Sequence, residues 1–453
     1  MTVKPNFVIV LLDDATDFQM RRYLPQVRRK LLDAGLRIVD FKNAFDTTPL
    51  CCPSRTSLLT GRYAHTTGIK FNEEPEGGAV TFTEEGLDAD TIATRLGAQG
   101  YATALVGKYL NGYDKIPGPH VPPGWDFWRA IYTPGTGGYR NYALATEAKN
   151  LIAYGAADAD YSTDVFRQWA VRFLRKTGGR PFLLYLAPSA PHEPAIHASR
   201  HAGVHPEVTA APRPPSYATF LDRAGKPEWV QNADWTAAEM AEDDALYASQ
   251  VKTLAAVEDM VGGVIDQLSE QSLLADTVFV ILSDNGYSHG EHFSKGKGDE
   301  YDPSVRTALA IASKSFVPQN QERFEIAANI DVAPTLAELA GLPPDPTVEG
   351  VSLVPLLSPG GAIARTDLLL ERWSKNPTGE GTPANPVPTW DAVVAWRGGR
   401  IWKYVELAAG VNDTELYELK GDPYELTNLV TRTEHAPLVA ELSARLKELK
   451  GGS

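Results

Sequence analysis

Short, continuously apolar runs alternate along the chain with segments of helical periodicity. The runs that predict strands are 6–12, 101–108, 181–187 and 277–283. Because they are apolar throughout and do not alternate with polar residues, we expect both faces of these strands to be covered. The intervening segments predict helices, the longest from about 236 to 270. This order predicts a mainly parallel sheet with helices on both faces.

The pattern changes after about residue 365. The stretches "DAVVAWRGGRIWKYVEL" and "TELYEL" predict an antiparallel meander with a turn at Gly398 and Gly399, and a closing helix follows in "APLVAELSARLKELK". We therefore predict two units. Residues 1–365 form a catalytic α/β domain, and residues 366–453 form a smaller C-terminal α+β subdomain with an antiparallel sheet and the closing helix.

The composition indicates a soluble globular protein, because 43% of its 453 residues are hydrophobic and 22% are charged. A net charge of −14 argues against nucleic acid or an anionic membrane surface as a partner. No apolar run approaches the roughly 20 residues that span a bilayer. The apolar run near the N-terminus ends in two aspartates, which indicates a buried strand and not a signal peptide. We expect a cytoplasmic location as written, or a periplasmic or secreted one if a leader has been removed.

Polar residues follow two of the predicted strands. Asp13 and Asp14 end the first strand, and Asp284 and Asn285 follow the strand at 277–283. Ligands of open α/β sheets bind beyond the carboxyl ends of the strands. Either pair alone could be a helix cap or a turn. Together, three carboxylates and an amide predict a site for a hard cation such as Ca²⁺ or Mg²⁺.

Three basic residues also follow strands or the candidate metal ligands. Lys108 ends the second strand, His192 follows the third, and Lys297 lies in "GEHFSKGKGDEY". Singly, each could be an ordinary surface lysine or loop histidine. As a set, they would neutralise a tetrahedral oxyanion beside a divalent metal.

The two cysteines of the chain are adjacent, in "LCCPSRTSLLTGR". Neighbouring cysteines rarely bond to each other, so Cys51 and Cys52 are expected to be free or modified. In a cysteine phosphatase, five residues separate the cysteine from the arginine of the phosphate loop, and Arg55 is too close in sequence to Cys51 and to Cys52 for that spacing. A zinc site is also excluded, because the chain has no further cysteines to act as ligands. A buried structural thiol remains open. Proline favours a first helical turn, so a helix is predicted from near Pro53 to Gly61, with the cysteine at an N-terminus that attracts anions.

The stretch "CCPSRTSLLTGR" resembles the signature of type I, formylglycine-dependent sulfatases, a family of the alkaline phosphatase superfamily. The resemblance continues through "PNFVIVLLDD", "GKYLNGY", "APHEP", "SDNGYSHGEH", "NIDVAPTLAELAG" and "ELYELKGDPYELTNL", so it spans nearly the whole chain. "CCPSR", "GKYLN" and "GWDFW" are most similar to N-acetylglucosamine-6-sulfatases. The resemblance to this family implies an alkaline-phosphatase-like α/β/α sandwich with a mixed, mostly parallel sheet and a smaller C-terminal subdomain.

The resemblance also implies a set of site residues. Cys51 would be oxidised to formylglycine by a formylglycine-generating enzyme, and a hydroxyl of the hydrated aldehyde would attack sulfur. Arg55 would hold this group. Lys108 and Lys297 would stabilise the sulfate, and His192 would protonate the leaving alcohol. The implied ligands of Ca²⁺ are Asp13, Asp14, Cys51, Asp284 and Asn285.

Two departures from the family pattern affect this set. Many members have a histidine shortly after the lysine at position 108, where this chain has Leu110 and Asn111. Ser288 stands at another usual histidine position, with His289 one residue later. Which of Leu110, Asn111 and His289 replaces the usual contacts is left open by the sequence.

The implied activity is hydrolysis of a sulfate ester in a small substrate, either an aryl sulfate or a sulfated sugar such as glucosamine-6-sulfate. The acidic surface disfavours attraction of a heavily sulfated polymer. One alternative is a formylglycine-dependent phosphonate or phosphate ester hydrolase. A second is a non-catalytic binder of sulfated sugars in which Cys51 is not converted.

Overall fold

The computed structural model describes residues 4–375, 387–408 and 414–451, which contain sixteen strands and twelve α-helices. The strands are β1 (Asn6–Leu12), β2 (Arg37–Phe45), β3 (Ala102–Gly107), β4 (Phe127–Thr133), β5 (Ala143–Thr146), β6 (Leu151–Ala153), β7 (Phe182–Ala187), β8 (Thr277–Ser283), β9 (Ser288–His289), β10 (Lys295–Gly296), β11 (Leu309–Ser313), β12 (Gln321–Ala328), β13 (Asp367–Arg372), β14 (Trp390–Arg397), β15 (Arg400–Leu407) and β16 (Thr414–Glu418). The helices are α1 (Asp17–Tyr23), α2 (Pro25–Asp33), α3 (Cys51–Thr60), α4 (Ala64–Thr67), α5 (Gly78–Glu84), α6 (Ile92–Gly97), α7 (Ser162–Leu174), α8 (Glu228–Gln231), α9 (Ala237–Glu270), α10 (Asp302–Val305), α11 (Val332–Leu339) and α12 (Ala436–Leu449).

Ten strands form the main sheet, in the order β12–β2–β11–β8–β1–β7–β3–β4–β5–β6. Only β11 and β5 run antiparallel to their neighbours, so the other eight strands share one direction. The mixed, mostly parallel sheet that the sequence predicts is confirmed. The carboxyl ends of β8, β1, β7 and β3 lie side by side, and this group of strand ends is called the carboxyl edge below.

Helices cover both faces of the main sheet, because alternate residues of its central strands point to opposite sides. Val8, Val10 and Leu12 of β1 join a buried cluster with residues of α1, α2, α7 and α9. Phe7, Ile9 and Leu11 join a second cluster with residues of α3, α6 and α11. The result is the predicted α/β/α sandwich.

A four-stranded antiparallel sheet, β13–β14–β15–β16, lies beyond the sandwich, and α12 packs against it through Leu442 and Leu446. Gly398 and Gly399 form the predicted turn between β14 and β15. The backbone amide of Glu371 on β13 donates to the Thr47 carbonyl (2.9 Å), which ties this sheet to the segment before α3. A domain division at residue 365 remains a prediction.

The helix that carries the cysteines begins two residues earlier than predicted. Leu50 is its N-cap, with extended backbone, and Cys51 is the first helical residue. Pro53 still lies in the first turn, where the missing N–H is not needed for an intrahelical bond. Gly61 ends the helix as predicted, with φ +73°. Every residue of α3 is buried, so Cys51 is presented from within the protein.

The close approach of β3 to β7 depends on Gly107. Its φ is +117°, and a Cβ placed there would lie 1.9 Å from the Ala187 carbonyl oxygen. The next residue, Lys108, donates its backbone amide to that same oxygen at 2.7 Å. Glycine at this position therefore allows β3 to end beside β7 and fixes where the side chain of Lys108 starts.

Among the helices of the described residues, none combines the length and the apolar character required to cross a membrane.

Candidate active site and metal centre

The carboxyl edge brings together most of the site residues predicted from the sequence. Asp13 and Asp14 follow β1, and Asp284 and Asn285 follow β8, its parallel neighbour. Lys108 follows β3, and His192 lies in the loop after β7. The Asp13 amide donates to the Ala190 carbonyl (3.2 Å), and the Asp14 amide donates to Asp284 Oδ1 (3.2 Å). The loops that follow these strands are thereby held against one another.

Cys51 occupies the centre of this group and is fully buried. Lys297 Nζ lies 2.8 Å from its Sγ, and Asp13 Oδ1 lies 3.5 Å from the same atom. Asp14 Oδ1 is 4.0 Å from the sulfur. The first turn of α3 thus places one thiol between two carboxylates and an ammonium group.

Each buried carboxylate of the site has a cationic partner. Lys108 Nζ donates to Asp13 Oδ2 at 2.5 Å, and Lys297 forms an ion pair with Asp14. Arg55 Nε donates to Asp284 Oδ2 at 2.8 Å. Because Arg55 also donates from Nη1 to the Lys108 carbonyl (3.0 Å), it connects α3 to the ends of both β8 and β3.

Burial and these ion pairs determine the protonation states. Burial favours the neutral form of Asp13, but the charges of Lys108 and His192 outweigh it and lower the pKa of this carboxyl. The pKa of Asp284 is instead raised, by burial and by the negative charge of Asp13. Burial raises the pKa of the Cys51 thiol to about 12 despite two nearby ammonium groups. An unmodified Cys51 is therefore a protonated thiol at neutral pH and a poor nucleophile.

The residues present fit a hard divalent cation. Ligand atoms of Asp13, Asp14, Cys51 and His192 all lie within 4.8 Å of one another. Asn285 Nδ2 donates to Asp14 Oδ1 (2.7 Å), whereas its buried Oδ1 has no hydrogen-bond partner within the part of the chain that the structure describes. Turning this amide over would direct its oxygen at the carboxylate, an arrangement that a cation between them would favour.

His192 lies at the mouth of the site. Its Nδ1 is 2.6 Å from the Glu193 carbonyl oxygen, and its Nε2 is 3.6 Å from Asp14 Oδ2. Its side chain is 32% exposed, whereas that of Asp14 is 2% exposed. The ring therefore has one nitrogen held by the backbone and the other directed at the site.

A cavity of about 200 Å³ opens beside these residues. Its lining includes Asp13, Lys108 and His192, so the cavity borders ionisable side chains of the site. Leu110 and Asn111 lie on the same lining, and Asn111 Oδ1 is buried without a hydrogen-bond partner among the described residues. Of Leu110 and Asn111, only Asn111 has a polar side chain.

Neither residue at the second departure from the family pattern contacts Cys51. Ser288 Oγ donates to Asp299 Oδ2 at 2.8 Å. His289 Nδ1 lies 3.0 Å from Asp243 Oδ1 on α9, and both side chains are buried. His289 therefore does not compensate for a histidine at position 288.

Asn72 was not predicted as a site residue, although its Oδ1 accepts a hydrogen bond from the Cys52 amide at 2.9 Å. The amides of the first turn of a helix have no acceptor within the helix, and Asn72 supplies one for Cys52. Asn72 lies in the loop "KFNEEPEGG", which has no hydrophobic period to fix its position. No signal near the cysteines indicates this contact.

Comparisons with known proteins identify the family of this chain. The family profile described as "Sulfatase" matches residues 5–342, and that described as "N-sulphoglucosamine sulphohydrolase, C-terminal" matches residues 290–451. The chain is 29% identical to an arylsulfatase of Volvox carteri, covering 96% of this chain and 72% of that protein. It is also 29% identical to N-acetylglucosamine-6-sulfatase of Homo sapiens, covering 100% of this chain and 85% of the relative.

Solved structures share the fold over almost the whole chain. One, determined in complex with its substrate D-glucosamine-2-N,6-O-disulfate, has a TM-score of 0.81 at 22% identity and covers 99% of this chain and 98% of its own. The phosphonate monoester hydrolase of Agrobacterium radiobacter has a TM-score of 0.72 at 20% identity, with 99% and 95% covered. The fold is that of alkaline-phosphatase-like sulfatases. The chain belongs to the sulfatase family and is a sulfuric ester hydrolase.

The carboxyl that holds Ser288 gives a prediction for pH dependence. Burial raises the pKa of Asp299 to about 6 from 3.8, although Ser294 and Ser288 donate hydrogen bonds to it. The folded state therefore binds this proton more tightly than the unfolded chain does. The contribution of Asp299 to stability is greatest below pH 3.8 and is lost as the pH rises through 6.

We expect the wild-type free energy of unfolding to fall by roughly 2–3 kcal/mol relative to that of Asp299→Asn between pH 4 and pH 7. Denaturant unfolding of both proteins across this range measures the difference. Asp222→Asn, at an exposed position, is the control. A difference between wild type and Asp299→Asn that does not change with pH would show that Asp299 does not titrate in this range.

Proposed function

We propose that this sulfatase removes sulfate from a small sulfated sugar or an aryl sulfate, with formylglycine at position 51 and a bound calcium ion. The observation that carries the proposal is the position of Cys51. It is the first residue of a buried helix and lies between two carboxylates and an ammonium group at the carboxyl edge. Conversion of Cys51 by a formylglycine-generating enzyme would supply a hydrated aldehyde with two hydroxyls, one to attack sulfur and one to release sulfate.

Asp13, Asp14, Asp284 and Asn285 would hold the Ca²⁺ ion together with the modified residue 51, and Mg²⁺ is a possible substitute. The ion would supply positive charge for the sulfate oxygens. The Asp284 carboxylate is already oriented by the Asp14 amide and Arg55. Asp13 is oriented by Lys108, and Asp14 by Asn285. Asn285 Oδ1 accepts no hydrogen bond from any described residue, which supports the inclusion of Asn285 in this set.

The three cationic side chains of the site would have different roles. Arg55, locked between Asp284 and the Lys108 carbonyl, would orient the hydroxyls at position 51. Lys297 reaches the Sγ position directly, and Lys108 reaches the site from the cavity. Their ammonium groups would balance the negative charge that develops on the sulfate and the departing oxygen.

His192 is the candidate proton donor. Its Nδ1 would donate to the Glu193 carbonyl, so that a proton on Nε2 is available on the side that faces the site. A sugar alkoxide is a strong base and needs protonation as it leaves. The position of this ring at the partly exposed mouth suits delivery of that proton to a leaving group in the cavity.

Conversion of Cys51 is tested by mass spectrometry of the peptide that contains it and by activity. We expect replacement of the thiol by the aldehyde in wild type. In Cys51→Ala we expect loss of turnover for 4-nitrophenyl sulfate, glucosamine-6-sulfate and a phosphonate monoester. Cys52→Ala is the matched control, because Cys52 packs in the hydrophobic core, and it should keep activity.

The order of kcat/KM across these three compounds separates a sulfatase from a phosphonate ester hydrolase. An unconverted Cys51 in protein from the native host would favour a non-catalytic binder. Full sulfatase activity in Cys51→Ala would refute the mechanism.

The role of His192 predicts a dependence on the leaving group. In His192→Gln, kcat for glucosamine-6-sulfate should fall by roughly 10²- to 10⁴-fold. The loss for 4-nitrophenyl sulfate should be much smaller, because nitrophenolate leaves without a proton. His201→Gln, in the same loop and paired with Asp259, is the control. Equal losses on both substrates in His192→Gln would rule out proton donation to the leaving group.

The metal site predicts a Ca²⁺-dependent stability that can be measured without turnover. Adding Ca²⁺ at about 100 times its Kd to chelator-treated protein should raise the free energy of unfolding by about 2.7 kcal/mol. Thermal unfolding with and without Ca²⁺ measures this gain, which Asp14→Asn should reduce. Equal stabilisation of wild type and Asp14→Asn would place the ion elsewhere.

A further inference from the structure

Arg372, the last residue of β13, lies next to the candidate active site but has no role in the proposed chemistry. A Cβ on Gly298 would lie 3.0 Å from Arg372 Nε, so the guanidinium occupies the space beside that glycine. Gly298 directly follows Lys297, whose Nζ contacts Cys51. On the other side, the neighbouring Glu371 is bonded to the Thr47 carbonyl, four residues before Cys51.

The side-chain direction of Arg372 follows from the pleat of β13. Glu371 accepts hydrogen bonds from the His65 amide (3.0 Å) and lies 2.9 Å from the His65 ring nitrogen. Successive side chains of a strand point to opposite faces. Arg372 therefore points away from His65 and towards the loop that carries Lys297.

The guanidinium of Arg372 has no anionic partner in residues 4–375, 387–408 and 414–451. Its Nε and Nη1 are buried without a hydrogen-bond partner. Burial, unopposed by any carboxylate, lowers the pKa of Arg372 to about 10. Arg372 as a whole is partly buried, whereas the buried side chains of Arg55 and Arg365 pair with Asp284 and Asp331.

Nearby charges do not supply the missing partner. Of the three glutamates in "KFNEEPEGG", Glu73 lies 3.9 Å from Lys375 and Glu76 lies 2.7 Å from Lys70. Among the described residues, Glu74 forms no ion pair with Arg372. Withdrawing the Nε and Nη1 groups of an arginine from water without an acceptor is unfavourable. A cation held in this way beside an anion-processing site is suited to an anion that arrives with the substrate.

We propose that Arg372 binds a second anionic group of the substrate, a carboxylate or a further sulfate, while the sulfate ester to be cleaved lies at position 51. This inference rests on the proposed function and extends it. It assigns the preferred substrate to sulfated sugars that carry two anionic groups. The planar guanidinium can form two parallel bonds to either group, which an ammonium group cannot do.

The test measures binding in the Cys51→Ala background with Ca²⁺ present, so that neither conversion nor turnover is needed. Titration calorimetry compares glucosamine-6-sulfate with two doubly anionic probes, glucosamine-2-N,6-O-disulfate and a 6-sulfated disaccharide ending in a uronic acid. Arg372→Gln should weaken binding of at least one doubly anionic probe by about 10- to 100-fold. Binding of glucosamine-6-sulfate should change by less than about threefold. The affected probe identifies the second group as sulfate or carboxylate.

Two further variants complete the design. Arg372→Lys, which keeps the charge and loses the planar fork, should recover only part of the affinity. Arg400→Gln, at an exposed position of the same small sheet, should change none of the affinities. The melting temperature of Arg372→Gln should not be lower than that of its parent, because the guanidinium forms no ion pair or hydrogen bond with the described residues.

The inference is overturned if Arg372→Gln weakens all three probes equally, weakens none, or lowers the melting temperature substantially. If the parent protein binds no sulfate ester at all, the proposed function itself fails. The two failures can be told apart. The inference about Arg372 can fail only if the parent protein binds a sulfate ester, whereas the proposed function fails if it binds none.

Discussion

The buried carboxylates of the carboxyl edge need cationic partners, and this requirement fixes how the surrounding elements pack. Asp13, Asp14 and Asp284 would repel one another if they stood alone, and each ion removed from water costs several kcal/mol. Arg55, from the first turns of α3, offsets part of this cost by reaching Asp284 and the backbone of Lys108 together. The helix, β8 and β3 must therefore dock in one relative position. The rest of the sandwich serves to hold that position.

The parallel strands at the centre of the sheet were predictable because they are apolar throughout. The predicted ranges 6–12 and 277–283 match β1 and β8 without adjustment. The edge strand β12 was not predicted, because only its last three residues are buried and its sequence, "QERFEIAA", lacks a continuous apolar run. The helix at the cysteines began early because its start depends on the extended backbone of Leu50, which no residue preference encodes.

Site residues at strand ends were predictable for the same reason as the strands themselves. Asp13, Lys108 and Asp284 follow directly from where a buried strand stops. His289 shows the limit of this reasoning. It pairs with Lys295 in the short β9–β10 ladder, and a displacement of one residue along that strand turns its ring towards Asp243. Arg372 and Asn72 are still harder, because each meets the site through contacts between segments far apart in sequence.

The complete burial of Cys51 has a consequence for the time at which the protein can mature. An enzyme that oxidises this thiol needs to reach it, and in the folded protein the exposed fraction of Cys51 is zero. Lys297, which lies against the sulfur, is separated from Cys51 by 246 residues. At about 5–20 residues per second, ribosomes need roughly 12–50 s to add that length. The site cannot be completed during this interval. The proposed conversion of Cys51 would therefore have at least this time before folding encloses the thiol.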